Sequence, residues 1–215
     1  VNPTYGVRLT QTVRRDSRDR PEFPTRGSRM NWQATLSGGP LGGNEEYHKH
    51  ELQFEWWTPL LRDLFVLYTD VEVGVMKQLY QDAVIPWEEQ FFMGGSGMIW
   101  GTALRGYEDR SVGPISSNGY PLGGRALLKY SMEFRVKISD NPTIYGLTFA
   151  EAGNTYLDAL SINPYELKRS AGIGARVFMP MLGMLGFDLG YGFDPQFPGG
   201  DASGWNTHFI FGQQF

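Results

Sequence analysis

Apolar and polar residues alternate with a period of two over most of this chain, and each such stretch predicts a β-strand. Nine stretches show the pattern, at 5–16, 28–38, 47–58, 64–77, 125–138, 143–152, 167–179, 185–193 and 207–215. The clearest is 125–138, where seven apolar residues from Ala126 to Ile138 occupy every second position. Most of the positions between them are charged or polar. The pattern predicts an all-β fold of about nine strands.

The same alternation fits a soluble β-sandwich with one wet face or a transmembrane β-barrel. Stretch 125–138 exceeds the usual strand length of about 5–6 residues and is long enough for the roughly 9–11 residues of a tilted strand that crosses a bilayer. Its polar face suits a water-filled or plugged interior. Connections also alternate between short ones, as at 141–142, and long ones, as at 78–123, 153–165 and 195–206. We therefore favour an antiparallel, up-and-down transmembrane barrel over the sandwich.

Composition and charge exclude several classes of function. Mean hydropathy is −0.33 and no run of 18 apolar residues occurs, which excludes a transmembrane helix but not a barrel. The net charge of −4 offers no basic patch for nucleic acid. The chain has no cysteine, and its three histidines are too dispersed to predict a metal site. Neither a nucleophile–base arrangement nor a phosphate-binding loop is visible, so we expect no enzyme activity and no cofactor.

The longest span without strand character, 78–123, is predicted to be functional. Loops longer than about 15 residues in compact domains are usually functional or disordered, and this one is too rich in Trp, Phe, Tyr and Met for a solvated linker. Glycine clusters at 94–97 and 123–124 flank an Arg105-Gly106-Tyr107 triplet. We expect the loop to bury its rings inside the structure that the strands enclose.

Several short motifs, in this order along the chain, carry a family resemblance. They are Ser17-Arg18-Asp19 followed by 23–29, then Phe92-Met93-Gly94-Gly95, Arg105-Gly106-Tyr107, Val112-Gly113-Pro114, Gly123-Gly124 and the terminal stretch 209–215. With them the chain resembles the outer-membrane assembly-factor (surface antigen) superfamily, and within it the C-terminal barrel part of a member that assembles other barrels. The resemblance implies the bacterial outer membrane and a sixteen-stranded barrel preceded by periplasmic POTRA domains.

Strand parity agrees with a chain that is one part of such a barrel. In a meander of nine strands the first and the last run in the same direction and cannot pair antiparallel. Closed bacterial barrels have an even number of strands, and an open edge in lipid would leave backbone groups unsatisfied. We therefore expect residues 1–215 to be the C-terminal part of a larger barrel. The N-terminal barrel half and the POTRA domains would lie outside this chain.

The resemblance further implies that the long loop folds back from the extracellular side into the lumen, where Arg105 meets acidic residues of the wall. The matching acids are Glu133 and Glu151. Alternation alone also places Glu133 on the polar face of its strand. Glu151 shares its face with Tyr145, Leu147 and Phe149, so its inward position requires either a bulge or an apolar inner patch.

Two neighbours of Arg105 are also expected to hold the loop in the lumen. Gly106 is expected to allow a close approach or a positive φ angle. Tyr107 is expected to pack against the wall.

The final strand resembles the C-terminal recognition signal of outer-membrane proteins, with Phe209 and Phe211 toward lipid, Gly212 toward the lumen and Phe215 last. The resemblance implies assembly and insertion of β-barrel proteins by opening of a weak junction and addition of a client strand. The implied partners are outer-membrane lipid, client outer-membrane proteins and accessory lipoproteins. Two alternatives stay open, a two-partner-secretion transporter of the same superfamily and a plain porin-like barrel.

Overall fold

A computed structural model describes residues 5–61, 64–98, 101–197 and 199–212, and it contains nine strands in a single antiparallel sheet. Every strand pairs with its neighbours in sequence, which confirms the all-β, up-and-down prediction. The strands are β1 (Arg8–Asp16), β2 (Gly27–Ser37), β3 (Tyr47–Leu61), β4 (Phe65–Gln78), β5 (Ala126–Asp140), β6 (Thr143–Tyr156), β7 (Lys168–Met179), β8 (Gly183–Pro195) and β9 (Ala202–Gly212). None of the helical segments in these ranges has the length and apolar character needed to cross a membrane.

Several strands have different ends from those predicted, by up to five residues. β1 begins at Arg8 rather than at residue 5, opposite Ser37 at the end of β2. β6 continues to Tyr156 instead of stopping at 152, because its last four residues pair with 126–129 of β5. β9 begins at Ala202 rather than 207, since pairing with β8 resumes beyond a bulge. In the last two cases glycines that suggest a loop lie inside a ladder whose hydrogen bonds extend past them.

The charged face of the sheet is buried and the apolar face is exposed, which is the reverse of the arrangement in a soluble protein. One face carries charged side chains that are only 0–6% exposed, among them Lys129, Glu133, Glu151, Arg176 and Asp188. The other face leaves large apolar side chains 37–58% exposed, among them Tyr130, Met132, Phe134, Ile173, Phe187 and Phe209. Soluble proteins seldom bury so many charges while exposing such residues, whereas a barrel in lipid requires it. We call these the inner and the outer face.

The connection between β4 and β5 covers residues 79–125 and packs on the inner face. Five of its buried apolar side chains belong to one cluster with residues of the strands, which consists of Phe91, Met93, Leu104, Tyr107 and Val112 from the loop and Tyr47, Met76 and Leu127 from the sheet. Burial of apolar surface is the dominant favourable contribution to folding. The loop is therefore a large part of the core rather than an appendage.

A second inner cluster lies at the opposite end of the strands. The turn between β1 and β2, residues 17–26, places Phe23 with its ring 4.9 Å from that of Tyr145 on β6. Leu147 and Phe149 belong to the same buried cluster. The pairing of β6 with β5 is uninterrupted from Tyr145 to Glu151, so Glu151 reaches the inner face beside an apolar patch and without a bulge.

Candidate functional site

The segment that carries Arg105 is held by the glycine-rich strand-like stretch before it. Met93 bridges to Thr102 and Val112. The Gly95 amide donates to the Tyr107 carbonyl at 3.1 Å, and the Leu104 amide donates to the Gly95 carbonyl at 3.2 Å. These backbone bonds fix residues 104–107, which we call the loop tip, in addition to the contacts that side chains of the tip make with the sheet.

Arg105 binds three carboxylates on three strands. Its Nη2 lies 2.6 Å from both Glu133 Oε1 on β5 and Glu151 Oε1 on β6, and its Nη1 lies 3.3 Å from Asp188 Oδ2 on β8. The Arg105 backbone amide also donates to Glu151 Oε2 at 2.8 Å. The side chain is 5% exposed. Charge-assisted bonds from a planar guanidinium are strong and directional, so this contact fixes the position of the tip.

Two of the three carboxylates around Arg105 have a further cationic partner. Arg135 donates to Glu133 Oε2 at 2.8 Å. Arg176 binds both oxygens of Asp188, at 2.6 and 2.7 Å. The resulting charge cluster has three cations and three anions, Arg105, Arg135, Arg176, Glu133, Glu151 and Asp188. Its formal charge is balanced, as expected where burial makes an unpaired charge costly.

The apolar patch next to Glu151 also contributes to the site. The guanidinium carbon of Arg105 lies 3.7 Å from the centre of the Phe149 ring. A cation over an aromatic face is attracted by the ring quadrupole, by roughly 0.5–2 kcal/mol depending on solvation. Phe149 therefore supports one side of the guanidinium while the carboxylates bind its edge.

Gly106 makes a close backbone contact with β8. Its φ angle is +87°, and a Cβ atom there would lie 2.9 Å from the backbone nitrogen of Gly192. The facing residues on β8, Gly190 and Gly192, lack side chains as well, and a Cβ on Gly190 would lie 2.8 Å from the Gly106 nitrogen. Glycine on both sides thus lets the two backbones meet.

Tyr107 is fully buried and joins the tip to β7 and β8. Its hydroxyl donates to the Arg169 carbonyl at 2.7 Å and accepts from the Asp194 amide at 3.3 Å. Burial raises the pKa of Tyr107 to about 12. The hydroxyl consequently keeps its proton and the bond to Arg169 at physiological pH.

In the terminal strand, Phe209 and Phe211 lie on the outer face and are 58% and 51% exposed. Gly212 has a φ angle of +133° with no atom within 4 Å of a Cβ placed there, so its backbone conformation and not a close approach distinguishes it. Phe215 lies outside the described residues. Asp188 and Arg176, which the sequence analysis did not single out, belong to the site as much as Glu133 does.

Comparison with known proteins agrees with this architecture. The Omp85 superfamily domain matches residues 3–215. Outer membrane protein assembly factor BamA of Nitratidesulfovibrio vulgaris is 29% identical over 217 residues, covering 100% of this chain and 26% of the relative. BamA of Neisseria meningitidis serogroup B is 28% identical over 172 residues, covering 76% of this chain and 20% of the relative.

A solved structure shows the same fold. The crystal structure of BamA from Haemophilus ducreyi lacking POTRA domains 1–3 superposes with a TM-score of 0.73 at 20% identity, over 94% of this chain and 42% of that one. The chain thus spans about a quarter or less of the length of these two curated relatives.

These matches confirm the family resemblance of the sequence motifs, including the likeness to BamA. They place the chain in the bacterial outer membrane. Family membership also agrees with the expectation that the chain is not an enzyme. With a family domain that matches nearly the whole chain, this protein belongs to the Omp85 superfamily.

Proposed function

We propose that this chain is the C-terminal part of a barrel that assembles and inserts β-barrel proteins into the outer membrane. Its curated relatives are named outer membrane protein assembly factors. In the proposal, β9 and the first strand of the complete barrel form a weak junction, which we call the seam. Opening of the seam exposes a strand edge to which a client strand adds by β-augmentation.

The observation that carries the proposal is the binding of one loop residue to three strands near one edge of the sheet. Arg105 contacts β5, β6 and β8, and Tyr107 contacts β7 and β8. These contacts brace the wall that leads up to β9. A wall fixed in this way keeps its register while the edge beyond it moves, which a barrel with a lateral opening requires.

The position of β9 supports the same function. In the described part of the chain β9 pairs with β8 on one side and with no strand on the other. An unpaired edge in lipid leaves backbone groups without partners, so another strand must cover it. The complete barrel would supply that strand when the seam is closed, and a client would supply it when the seam is open.

The proposal assigns the remaining partners to the rest of the protein and to its surroundings. The missing strands, seven in a sixteen-stranded barrel, and the POTRA domains would come from outside residues 1–215. Outer-membrane lipid would cover the outer face, and accessory lipoproteins would join the periplasmic side. The ends of the strands that carry the connection 79–125 would face the extracellular space.

A cysteine pair in the full-length protein tests the seam. Because this chain has no cysteine, one residue of β9 and its partner on the first strand can be replaced without a background from this chain. Oxidation is expected to reduce insertion of a client barrel into liposomes to the level without the protein, and reductant should restore it. A matched control pair, Leu189→Cys with Thr207→Cys, joins β8 to β9, which are already partners, and should leave insertion unchanged.

The same experiment separates the competing functions. Full insertion by the seam-locked protein would overturn lateral opening. Export of a soluble partner through the locked barrel would instead indicate a two-partner-secretion transporter. A large single-channel conductance together with no effect on client assembly would indicate a plain porin.

A further inference from the structure

The loop tip is bound to β9 as well as to the wall. The Gly106 backbone amide donates to His208 Nε2 at 2.9 Å. The Gly106 carbonyl accepts from Asn206 Nδ2 at 3.0 Å. Two side chains of the last strand therefore bind both polar groups of one loop residue.

The register of β8 and β9 explains how the tip reaches so far. His208 lies opposite Asp188, and Asn206 lies opposite Gly190. Since Gly190 has no side chain, the backbone of Gly106 passes directly over it. A larger residue at 190 would push the tip off β8 and out of reach of β9.

The hydrogen bonds of His208 and Asn206 to Gly106 depend on the protonation of one side chain and the orientation of the other. His208 is 7% exposed, and acceptance at Nε2 requires a neutral ring with its proton on Nδ1. The Asn206 amide also donates to Ser203 Oγ and the Gly204 carbonyl, each at 3.3 Å, which orients it toward the tip. A buried backbone amide that loses its acceptor is destabilised by its full desolvation cost, so leaving this arrangement is unfavourable.

We propose that Asn206 and His208 form a latch that couples the loop tip to the terminal strand. With the tip seated, β9 is held against β8 and the seam stays closed. When β9 moves outward, Gly106 loses both partners and the tip is released. The inference rests on the proposed function in one respect only, that β9 is the strand that moves. Coupling between two such positions is reciprocal, so locking either one stabilises the other.

The latch is tested by the protease sensitivity of the tip in the folded, full-length protein, with no client present. Trypsin cuts after Arg105 only when the tip leaves its buried site, and mass spectrometry identifies the cut. His208→Leu removes the acceptor at similar volume and should accelerate this cut about tenfold, the effect of losing one buried hydrogen bond. His208→Gln retains an acceptor and should stay within about twofold of the original protein.

Coupling to β9 is tested by adding the oxidised cysteine pair that joins β9 to the first strand of the barrel, which we call the lock. The lock should slow the cut in the original protein and have no effect in His208→Leu. Thr207→Val, an exposed position on the outer face of the same strand, is the matched control and should cut at the original rate. If His208→Leu fails to show the heat-dependent gel mobility of a folded barrel, Asn206→Leu replaces it. If neither variant folds, the latch is tested by comparing the rate of the cut in the original protein with and without the lock.

Two results would overturn the latch, namely equal cutting of the Leu and Gln variants, or a lock that does not slow the cut in the original protein. Because cutting is measured without a client, these results leave the assembly function untouched. Conversely, undiminished client insertion by a locked barrel would overturn lateral opening while a protected tip would still support the latch.

Discussion

Arg105 is the residue on which the balance of the charge cluster depends. Arg105→Ala would leave three buried carboxylates with two guanidinium groups, and removal of one member of a desolvated ion pair typically costs about 3–5 kcal/mol. We expect a loss of that size in the free energy of unfolding of the full-length barrel, measured by urea titration in detergent micelles, together with a loss of client assembly.

A second arginine provides the control for this prediction. Arg169 also binds a carboxylate, with Nη2 2.9 Å from Asp194 Oδ1, but its side chain is 67% exposed. Exposed pairs contribute about 0–1 kcal/mol, so Arg169→Ala should cost no more than that. Equal and small losses for the two variants would show that Arg105 is not buried in its cluster in the membrane.

Gly106 permits a comparison of two glycines with almost the same backbone conformation. Gly106 and Gly119 have φ angles of +87° and +81°, yet a Cβ at Gly106 would meet the backbone of β8 while one at Gly119 would meet nothing within 4 Å. Gly119→Ala should cost only the backbone strain, about 1–2 kcal/mol. Gly106→Ala should cost clearly more in the same urea titration and should accelerate trypsin cleavage at the tip. Similar costs would argue against the close contact.

The residues of this site differ in how far the sequence could predict them. Strict alternation in β5 is enough to turn Glu133 toward the polar face. Asp188 and His208 required knowledge of which residues face each other across β8 and β9, and no pattern within either strand contains that register. In the sequence His208 is only one of three histidines too dispersed for a metal site, whereas in the structure it accepts a hydrogen bond from Gly106.

At the level of whole elements, the strands were predictable because each has contrasting surroundings on its two faces. Their ends were less so, since β6 and β9 continue through Gly153 and Gly204 wherever a neighbour offers hydrogen bonds. The inner face of β6 is an exception to the rule that polar residues face inward, because it carries the buried apolar residues Tyr145, Leu147 and Phe149. Its Tyr145 is covered by Phe23 from a turn more than 100 residues earlier, a contact that only the folded chain reveals.

The turn between β1 and β2 provides a prediction on pH. Asp19 accepts from the Thr25 amide at 2.8 Å, the Thr25 hydroxyl at 2.6 Å and the Arg26 amide at 3.2 Å. Burial by itself raises the pKa of Asp19, but these hydrogen bonds outweigh it, and the net pKa lies below its ordinary value of 3.8. The ionised form is thus favoured by folding. Its contribution is complete above about pH 4 and is lost as the pH falls through the lowered pKa.

We therefore expect the Asp19→Asn variant to be less stable than the original protein at pH 7 and the difference to shrink below pH 4. Urea titrations at pH 7, 4 and 3 measure it. Asp201→Asn is the control, because Asp201 is exposed and lies outside the strands, and the substitution should change the free energy of unfolding by no more than about 0.5 kcal/mol. A difference for Asp19→Asn that is constant over this range would argue against a lowered pKa.

For the molecule as a whole, the two faces of the sheet are matched to two different media. Charges are buried on the inner face under the loop, while rings and aliphatic side chains of β5, β8 and β9 are exposed on the outer face. In water this arrangement would be a liability, because large exposed apolar surfaces drive association. In a bilayer the same surface is solvated by acyl chains. The medium therefore belongs to the explanation of the fold, together with the loop that fills the inner face.

Two arginine substitutions on β5 distinguish the two media. Met132 and Ile138 lie on the outer face, 51% and 69% exposed, with Met132 near the middle of the strand and Ile138 near its end. In a bilayer Met132→Arg should cost about 2–4 kcal/mol and Ile138→Arg about 0–1 kcal/mol, because the cost of a charge falls from the midplane to the interface. On a water-exposed surface both would stay within about 0.5 kcal/mol. Unfolding in lipid vesicles measures both variants. A clear loss for Met132→Arg alone requires hydrocarbon at the centre of the strand, whereas two neutral variants would place the outer face in water and remove the basis for the seam.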